Sequence, residues 1–154
     1  MNMEIQAALD VADETDSFLQ ITDVIYDKEA DLGYESLSDA EKTVFCIDSL
    51  LREMENGGFV QFFHHEVGAQ AEDTLAALER VKSRDIHAIF DELLDLFPDR
   101  AVPADEDARS ALVSQLEDDY RNELEELDER FYEVSDSLVG LTLSFVARNV
   151  KSFR

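Results

Sequence analysis

The sequence predicts an all-α protein, a single-domain compact bundle of about six to eight helices over residues 1–154. Three observations predict this class. Apolar residues recur at spacings of three and four in several segments, and no segment shows the alternation typical of strands. The chain is 45% hydrophobic and contains ten Phe and four Tyr, which is enough to fill a core. Residues 1–16 are expected to form a flexible or loosely packed N-terminus.

The first two predicted helices differ in how clearly they begin. The first covers residues 17–30, where apolar side chains share one face. The second has a defined start, because Ser38 and Glu41 form a capping box and Leu37 occupies the position of a hydrophobic staple. The chain therefore enters this second helix at a fixed residue.

Glycines are expected to end that second helix. Asn56, Gly57 and Gly58 can reach left-handed backbone angles at little cost, so they suit a helix C-terminus. Residues 59–66 then form a short helix or helical turn, in which Gln61 is expected to hydrogen-bond the backbone of the turn. Three rings of this segment are expected to fill the core: Phe59, Phe62 and Phe63.

Two further helices precede a proline. One covers residues 70–82, and the next begins after Ser83, which can cap it. Pro98 stops this second helix, because proline lacks the N–H that a helix interior needs.

The C-terminal third contains two more helical patterns. An apolar face over residues 112–131 fits one long helix, or two helices with a break near 118–122. The acidic residues 105–107 suit the positive end of that helix. The last helix, about 137–150, has so few polar positions that it should be central or should cover an interface.

Charge is the outlier of the composition. The chain has 37 acidic and 13 basic side chains, which give a formal net charge of −24. A field of this sign repels nucleic acids and anionic membrane surfaces, and it attracts basic partners or cations. We therefore expect a protein partner that is basic, with no direct binding to nucleic acid and no membrane association.

The same sequence features indicate a cytoplasmic protein. The N-terminal segment is acidic, unlike a secretory leader, and no apolar stretch is long enough to span a bilayer. Cys46 is the single cysteine, so the chain has no internal disulfide.

The acidic residues are concentrated in two segments. Residues 1–41 hold 12 acids and one base, and residues 105–133 hold 12 acids and three bases. Over residues 105–129 the net charge is −9, which for a helix corresponds to one net charge per about 4 Å. Duplex DNA carries one charge per about 1.7 Å of axis. Two such segments side by side would approach that density, so mimicry of DNA is physically feasible. A solvated face that only confers solubility is the alternative.

Enzymatic activity and cofactors are not expected. The sequence has no nucleophile elbow, no phosphate-binding glycine loop and no calcium loop. His64, His65 and His87 are the only cluster that suggests a metal-dependent enzyme. Adjacent histidines on a helix point about 100° apart, so His64 and His65 do not share a metal as residues one turn apart do. We expect one of them at the surface and one at the edge of the Phe cluster.

One motif resembles a known family. The stretch 55–63 is similar to the NGG-F-x-QFF signature of the DNA mimic protein family, a bacterial domain-of-unknown-function family, and the similarity extends over roughly residues 35–135. His64 and His65 depart from the family pattern. The resemblance implies an α-helical, often dimeric protein whose acidic surface occupies the DNA-binding face of a transcriptional regulator. The motif residues themselves are interpreted as structural: Asn56, Gly57, Gly58, Phe59, Gln61, Phe62 and Phe63.

The leading hypothesis is a DNA mimic that binds a basic DNA-binding protein, with a helix-turn-helix regulator favoured. An immunity or antitoxin-like protein that neutralises a basic nuclease toxin is the alternative, and a metal-dependent enzyme is a third. Each site carboxylate would stand in for a phosphate and accept hydrogen bonds from Arg or Lys. The main row is Asp118, Asp119, Glu123, Glu125, Glu126 and Glu129, and the second row is Asp10, Asp13, Glu14 and Asp16.

Overall fold

The structure is a computed structural model that describes residues 2–154, and within that range it contains eight α-helices and no strand. The predicted all-α bundle is confirmed. Short 3₁₀ turns join several of the helices. The helices are α1 (Met3–Leu9), α2 (Glu14–Leu32), α3 (Asp39–His64), α4 (Ala71–Arg80), α5 (Arg84–Asp95), α6 (Glu106–Asp119), α7 (Arg121–Val134) and α8 (Leu138–Arg148).

Helix α3 is the central helix of the bundle. It has 26 residues and packs against α2, α4, α6, α7 and α8. The predicted capping box starts it: Ser38 Oγ accepts from the backbone N of Glu41 at 3.1 Å, and Glu41 Oε1 accepts from the backbone N of Ser38 at 2.8 Å. Ile47 and Leu50 are fully buried along its length. Five of the seven other helices therefore pack directly on this central element.

The predicted end at Asn56-Gly57-Gly58 is a kink within α3. Gly57 (φ 176°, ψ 13°) and Gly58 (φ 83°, ψ −164°) leave helical geometry, and the chain then resumes a helix to His64. Two α7 side chains serve the interrupted backbone. Asp128 Oδ1 accepts from the N–H of Phe59 at 2.9 Å, and Tyr132 Oη donates to the carbonyl of Met54. The kink is therefore held from outside the helix.

Phenylalanine rings fill the core beneath the kink. Phe59, Phe62 and Phe63 are at most 2% exposed, as predicted. Phe62 packs edge-on against Phe63 and against Phe90 of α5, with centroids 5.1 and 5.7 Å apart. Edge-to-face contacts of this kind are favourable beyond the area they bury. The motif thus joins α3 to α5.

A buried arginine fastens the end of α3 to α6. Arg109 is 1% exposed and donates to four backbone carbonyls: those of Phe63 and His65 at 2.8 and 2.9 Å, and those of Pro103 and Ala104 at 3.1 Å each. The charge lies at the C-terminus of a helix, where the backbone dipole favours a cation. No local pattern in the sequence indicates this contact.

One helix was not expected and one open alternative is decided, while Ser83 precedes α5 as predicted but makes no side-chain capping hydrogen bond within the described part of the chain. Helix α1 was not predicted; it is only seven residues long and buries Ile5 and Ala8, too few positions to show a period. The expectation of a loosely packed N-terminus stays a prediction. The apolar face of the C-terminal third is divided between α6 and α7, which is the two-helix alternative. Tyr120 interrupts the helices with φ −129° and ψ 33° and is 39% exposed, so it does not continue the apolar stripe.

Within residues 2–154 no helix combines the length and the apolar character needed to cross a membrane.

Candidate functional site

The outer face of α7 carries the main group of predicted site residues. Leu124, Leu127 and Phe131 are buried against α3 and α5, so most other positions of α7 point outward, with the partly buried Asp128 as an exception. Every predicted α7 carboxylate occupies one of these exposed positions: Glu123, Glu125, Glu126 and Glu129. Amphipathic folding of this segment is enough to place them on the solvent side.

Asp118 and Asp119 extend this acidic face onto α6. Both are exposed and lie in the last turn of α6, where the helix dipole is negative and cations would be favourable. The same two residues directly precede Tyr120, the N-cap of α7, where the helix dipole favours acids, so the fold neither requires nor disfavours these two carboxylates.

The N-terminal row has a structural explanation. Asp13 caps α2 by accepting from the backbone N of Asp16 at 3.0 Å, and Glu14 and Asp16 lie in the favourable first turn. Asp10 accepts from the side chain of Gln6 at 3.2 Å. All four carboxylates are exposed. Capping alone accounts for Asp13, so the N-terminal row points to function less directly than the α7 face does.

The two rows do not lie side by side along α7. Glu14 lies beside α8, because a Cβ added at Gly140 would be 3.3 Å from its Oε2. Helix α8 follows the C-terminal end of α7, whereas Asp119 precedes the N-terminal end. Fourteen helical residues separate these ends, about 20 Å. The N-terminal row therefore lies toward the C-terminal end of α7, and the main row begins at its N-terminal end.

None of these ten carboxylates takes part in an ion pair within residues 2–154. Some acidic groups elsewhere do find partners. Arg100 pairs with Asp91 and Asp95 of α5, and Arg130 pairs with Glu92 at 2.6 Å. The outer face of α6 and α7 therefore presents carboxylates whose charge the protein itself does not neutralise.

His64 and His65 have local structural partners. His64 Nδ1 lies 3.2 Å from Ser110 Oγ at the edge of the Phe cluster, and the more exposed His65 lies 2.8 Å from Glu53 Oε2 through its Nδ1. Gln61 Nε2 is 2.7 Å from His65 Nε2, so the expectation that Gln61 bonds the turn backbone was wrong. Side chains of α7 bond the backbone at the kink instead: Asp128 accepts from Phe59 N–H and Tyr132 donates to the Met54 carbonyl. No group of three or more potential metal ligands occurs among the described residues.

A groove that the sequence did not indicate lies beside these residues. We call it the aromatic groove: a cleft of about 580 Å³ with Tyr26, Phe45 and Tyr34 in its lining. The rings come from α2, from α3 and from the 3₁₀ turn that precedes α3. No local pattern in the sequence brings three such segments together, so only the tertiary structure shows the groove.

The polar groups near the groove are poorly suited to nucleophilic chemistry. Burial raises the pKa of Tyr26 and of Tyr34 well above the usual tyrosine range. Burial also raises the pKa of the Cys46 thiol. These three groups therefore stay protonated at neutral pH, and a protonated thiol or phenol is a weak nucleophile.

Comparison with known proteins identifies the family. The sequence profile of the DMP19-like protein family matches residues 35–149, about three quarters of the chain. No curated protein and no solved structure matches the chain. The match includes the kink motif, the groove residues of α3 and the whole acidic face of α6 and α7. It also confirms the family that the Asn56 motif resembles. The chain belongs to the DMP19-like protein family.

Proposed function

We propose that this protein is a DNA mimic that occupies the DNA-binding surface of a basic DNA-binding protein, with a helix-turn-helix transcriptional regulator as the favoured partner. The observation that carries the proposal is the unpaired acidic face of α6 and α7. Membership of a family whose named example is a DNA mimic supports the same role. We propose a binding function without catalysis or a cofactor, exerted in the cytoplasm.

The chemistry of the proposed contact follows from the exposed carboxylates. A DNA-binding surface presents Arg and Lys that neutralise phosphates. A carboxylate accepts the same charge-assisted hydrogen bonds, and Arg can bind it with two parallel N–H groups. Since Asp118, Glu125 and Glu129 have no internal cation, binding would not require breaking an ion pair within the protein.

The test compares two variants of equal charge. One exchanges the main row for neutral amides. The control exchanges six exposed, unpaired acids elsewhere, and both variants change the formal net charge from −24 to −18. The main-row variant is Asp118→Asn, Asp119→Asn, Glu123→Gln, Glu125→Gln, Glu126→Gln and Glu129→Gln. The control is Asp23→Asn, Asp27→Asn, Asp31→Asn, Glu72→Gln, Glu79→Gln and Asp85→Asn.

The readout is competition with DNA. Proteins captured from the native lysate at low salt and eluted at high salt are identified, and the strongest DNA binder among them is purified. Wild type should displace a labelled duplex from that protein in fluorescence anisotropy, with an affinity that falls steeply as salt rises. The main-row variant should lose at least about tenfold in affinity, from several charge contacts of about 0.2–1 kcal/mol each. A main-row variant that competes as well as the control would overturn the proposal.

A nuclease toxin is the second class of partner, because a nuclease also binds phosphates through basic groups. The same capture experiment separates the two. A captured nuclease whose activity wild type suppresses, with no regulator displaced from DNA, would favour an immunity or antitoxin-like role.

We also propose that the protein forms a homodimer through α8. This helix has no acidic residue, and Val139 and Leu143 on it are only half-buried. Elsewhere two copies of a chain with a net charge of −24 would bring like charges together. Light scattering after size exclusion should give a dimer mass, and Leu143→Glu should give a monomer; a monomeric wild type would rule the dimer out.

A further inference from the structure

The aromatic groove is separate from the ten carboxylates proposed to mimic phosphates, since none of them lines it. Its wall is a row of rings in which Phe45 lies between two tyrosines, with centroids 5.1 Å from Tyr26 and 5.3 Å from Tyr34. Tyr26 Oη is 3.0 Å from Ser49 Oγ, and Tyr34 Oη donates to Asp73 at 2.6 Å. The hydroxyls of both tyrosines are thus engaged within the protein.

The charge of the groove is strongly one-sided. Its lining has a single permanently cationic side chain, Arg52, which already pairs with Asp48 at 2.7 Å. With the histidine neutral, the lining has a formal charge of −3. A groove of this charge disfavours anions and favours a cationic ligand. Four carboxylates contribute to the lining: Glu29, Glu53, Glu66 and Glu106.

Glu53 is held in position within the wall. Its side chain is 15% exposed, and its Oε2 is fully enclosed, with His65 Nδ1 at 2.8 Å and no other hydrogen-bonding group in reach among the described residues. Gln61 fixes the other nitrogen of the ring, His65 Nε2, at 2.7 Å. Because this oxygen is enclosed, it contributes a fixed negative charge to the wall of the groove rather than a hydrogen bond to a ligand.

We propose that the aromatic groove binds an arginine side chain of the basic protein partner. A guanidinium is planar, stacks on aromatic rings and donates to carboxylates at the same time, whereas an ammonium is a more strongly hydrated point charge. Two of the three rings already carry a cation of the protein itself, so an incoming guanidinium would use Phe45 or the other face of a tyrosine. Arg52 lies 5.1 Å from the centroid of Tyr26, and Lys42 lies 4.9 Å from that of Tyr34. The statement that a DNA-binding partner supplies the arginine rests on the proposed function, whereas the affinity of the groove for a guanidinium does not.

The test uses a capped tripeptide, acetyl-Ala-Arg-Ala-amide, titrated into isotopically labelled wild type and followed by NMR. Saturable shifts should centre on the groove, and the corresponding Lys peptide should bind more weakly. Phe45→Leu keeps an apolar side chain but removes a ring, and should weaken arginine binding about threefold. Glu66→Gln with Glu106→Gln should weaken it about fivefold. Both glutamates are exposed and make no internal ion pair, so these changes should leave the fold intact.

The matched control is Glu125→Gln with Glu126→Gln, which changes the net charge equally but lies outside the groove. It should alter arginine binding by less than about twofold. The proposal is overturned if the control weakens binding as much as the groove variant, if the Lys peptide binds equally well, or if the shifts spread over the acidic surface without saturating. The peptide titration needs no partner, so a failure of the DNA competition assay leaves its result intact, and the reverse also holds.

Discussion

The carboxylate of Asp128 accepts a hydrogen bond from the backbone N–H of Phe59 at 2.9 Å, across the kink of α3. Gly58 has no side chain between them; a Cβ there would be 2.4 Å from Asp128 Oδ2. This contact explains why the motif needs a glycine at position 58. It also explains why Asp128 points toward α3 while the other carboxylates of α7 point to solvent. Burial raises the pKa of Asp128, although the Phe59 N–H opposes that rise.

Removal of this carboxylate should destabilise the fold. Asp128→Ala leaves the N–H of Phe59 without its acceptor in a partly buried place, at a cost of about 1–3 kcal/mol. The measurement is the free energy of unfolding from urea titration. Glu126→Ala, an exposed residue of the same helix, is the control and should change stability by less than about 0.5 kcal/mol. Equal effects of the two substitutions would show that the kink does not depend on Asp128.

Alanine substitutions at the two glycines with positive φ can distinguish the stability cost of backbone strain from that of steric overlap. Gly33 has φ 88° and open space around it, whereas Gly58 has φ 83° and the Asp128 carboxylate in the way. Gly33→Ala should cost about 1–3 kcal/mol from backbone strain, because its φ of 88° and ψ of 157° suit glycine almost exclusively. Gly58→Ala should cost at least about 1 kcal/mol more, because Asp128 must also move. Thermal unfolding of both variants checks the order, and similar losses would show that the overlap is relieved without cost.

The buried arginine should be among the most sensitive positions. Arg109→Met removes the donors from four backbone carbonyls and should destabilise the protein by about 3 kcal/mol or more. Arg121→Met is the control, because Arg121 is exposed on α7. Its effect on the urea midpoint should be close to zero. A tolerant Arg109 would mean that water replaces its contacts to the carbonyls.

Glu41 should make stability depend on pH in the acidic range. Burial by itself raises the pKa of Glu41, but hydrogen bonds from Lys28, from Ser38 N and from Arg154 N outweigh it, so the pKa lies below its ordinary value of 4.5. A lowered folded-state pKa contributes stability above the unfolded-state pKa, and this contribution is lost as the pH falls through the folded-state pKa.

The measurement is the difference in unfolding free energy between wild type and Glu41→Gln at pH 7, 5, 4 and 3. It should be largest at pH 7 and should shrink below about pH 4.5. Glu129→Gln, an exposed control, corrects for the general loss of negative charge. A difference that stays constant down to pH 3 would contradict the role of the ionised carboxylate.

Local sequence patterns predict much of this structure. The capping box at Ser38, the break at Gly57 and Gly58 and the apolar stripe of α7 each depend on residues within a few positions of one another. The exposure of the α7 carboxylates follows from that stripe, because burying one face of a helix leaves the other in solvent. The sequence by itself therefore determined the fold class, the main helices and the presence of an acidic outer face.

Only the tertiary structure decided which groups meet across the chain. Arg109 and the carbonyl of Phe63 are 46 residues apart in sequence, and Asp128 and Phe59 are 69 apart. No periodicity links positions at such distances. The aromatic groove depends on the same kind of contact, since its rings come from separate elements. Long-range packing therefore decided the contacts of the α3 kink, of Arg109 and of the aromatic groove. The acidic face of α7 follows from local periodicity alone.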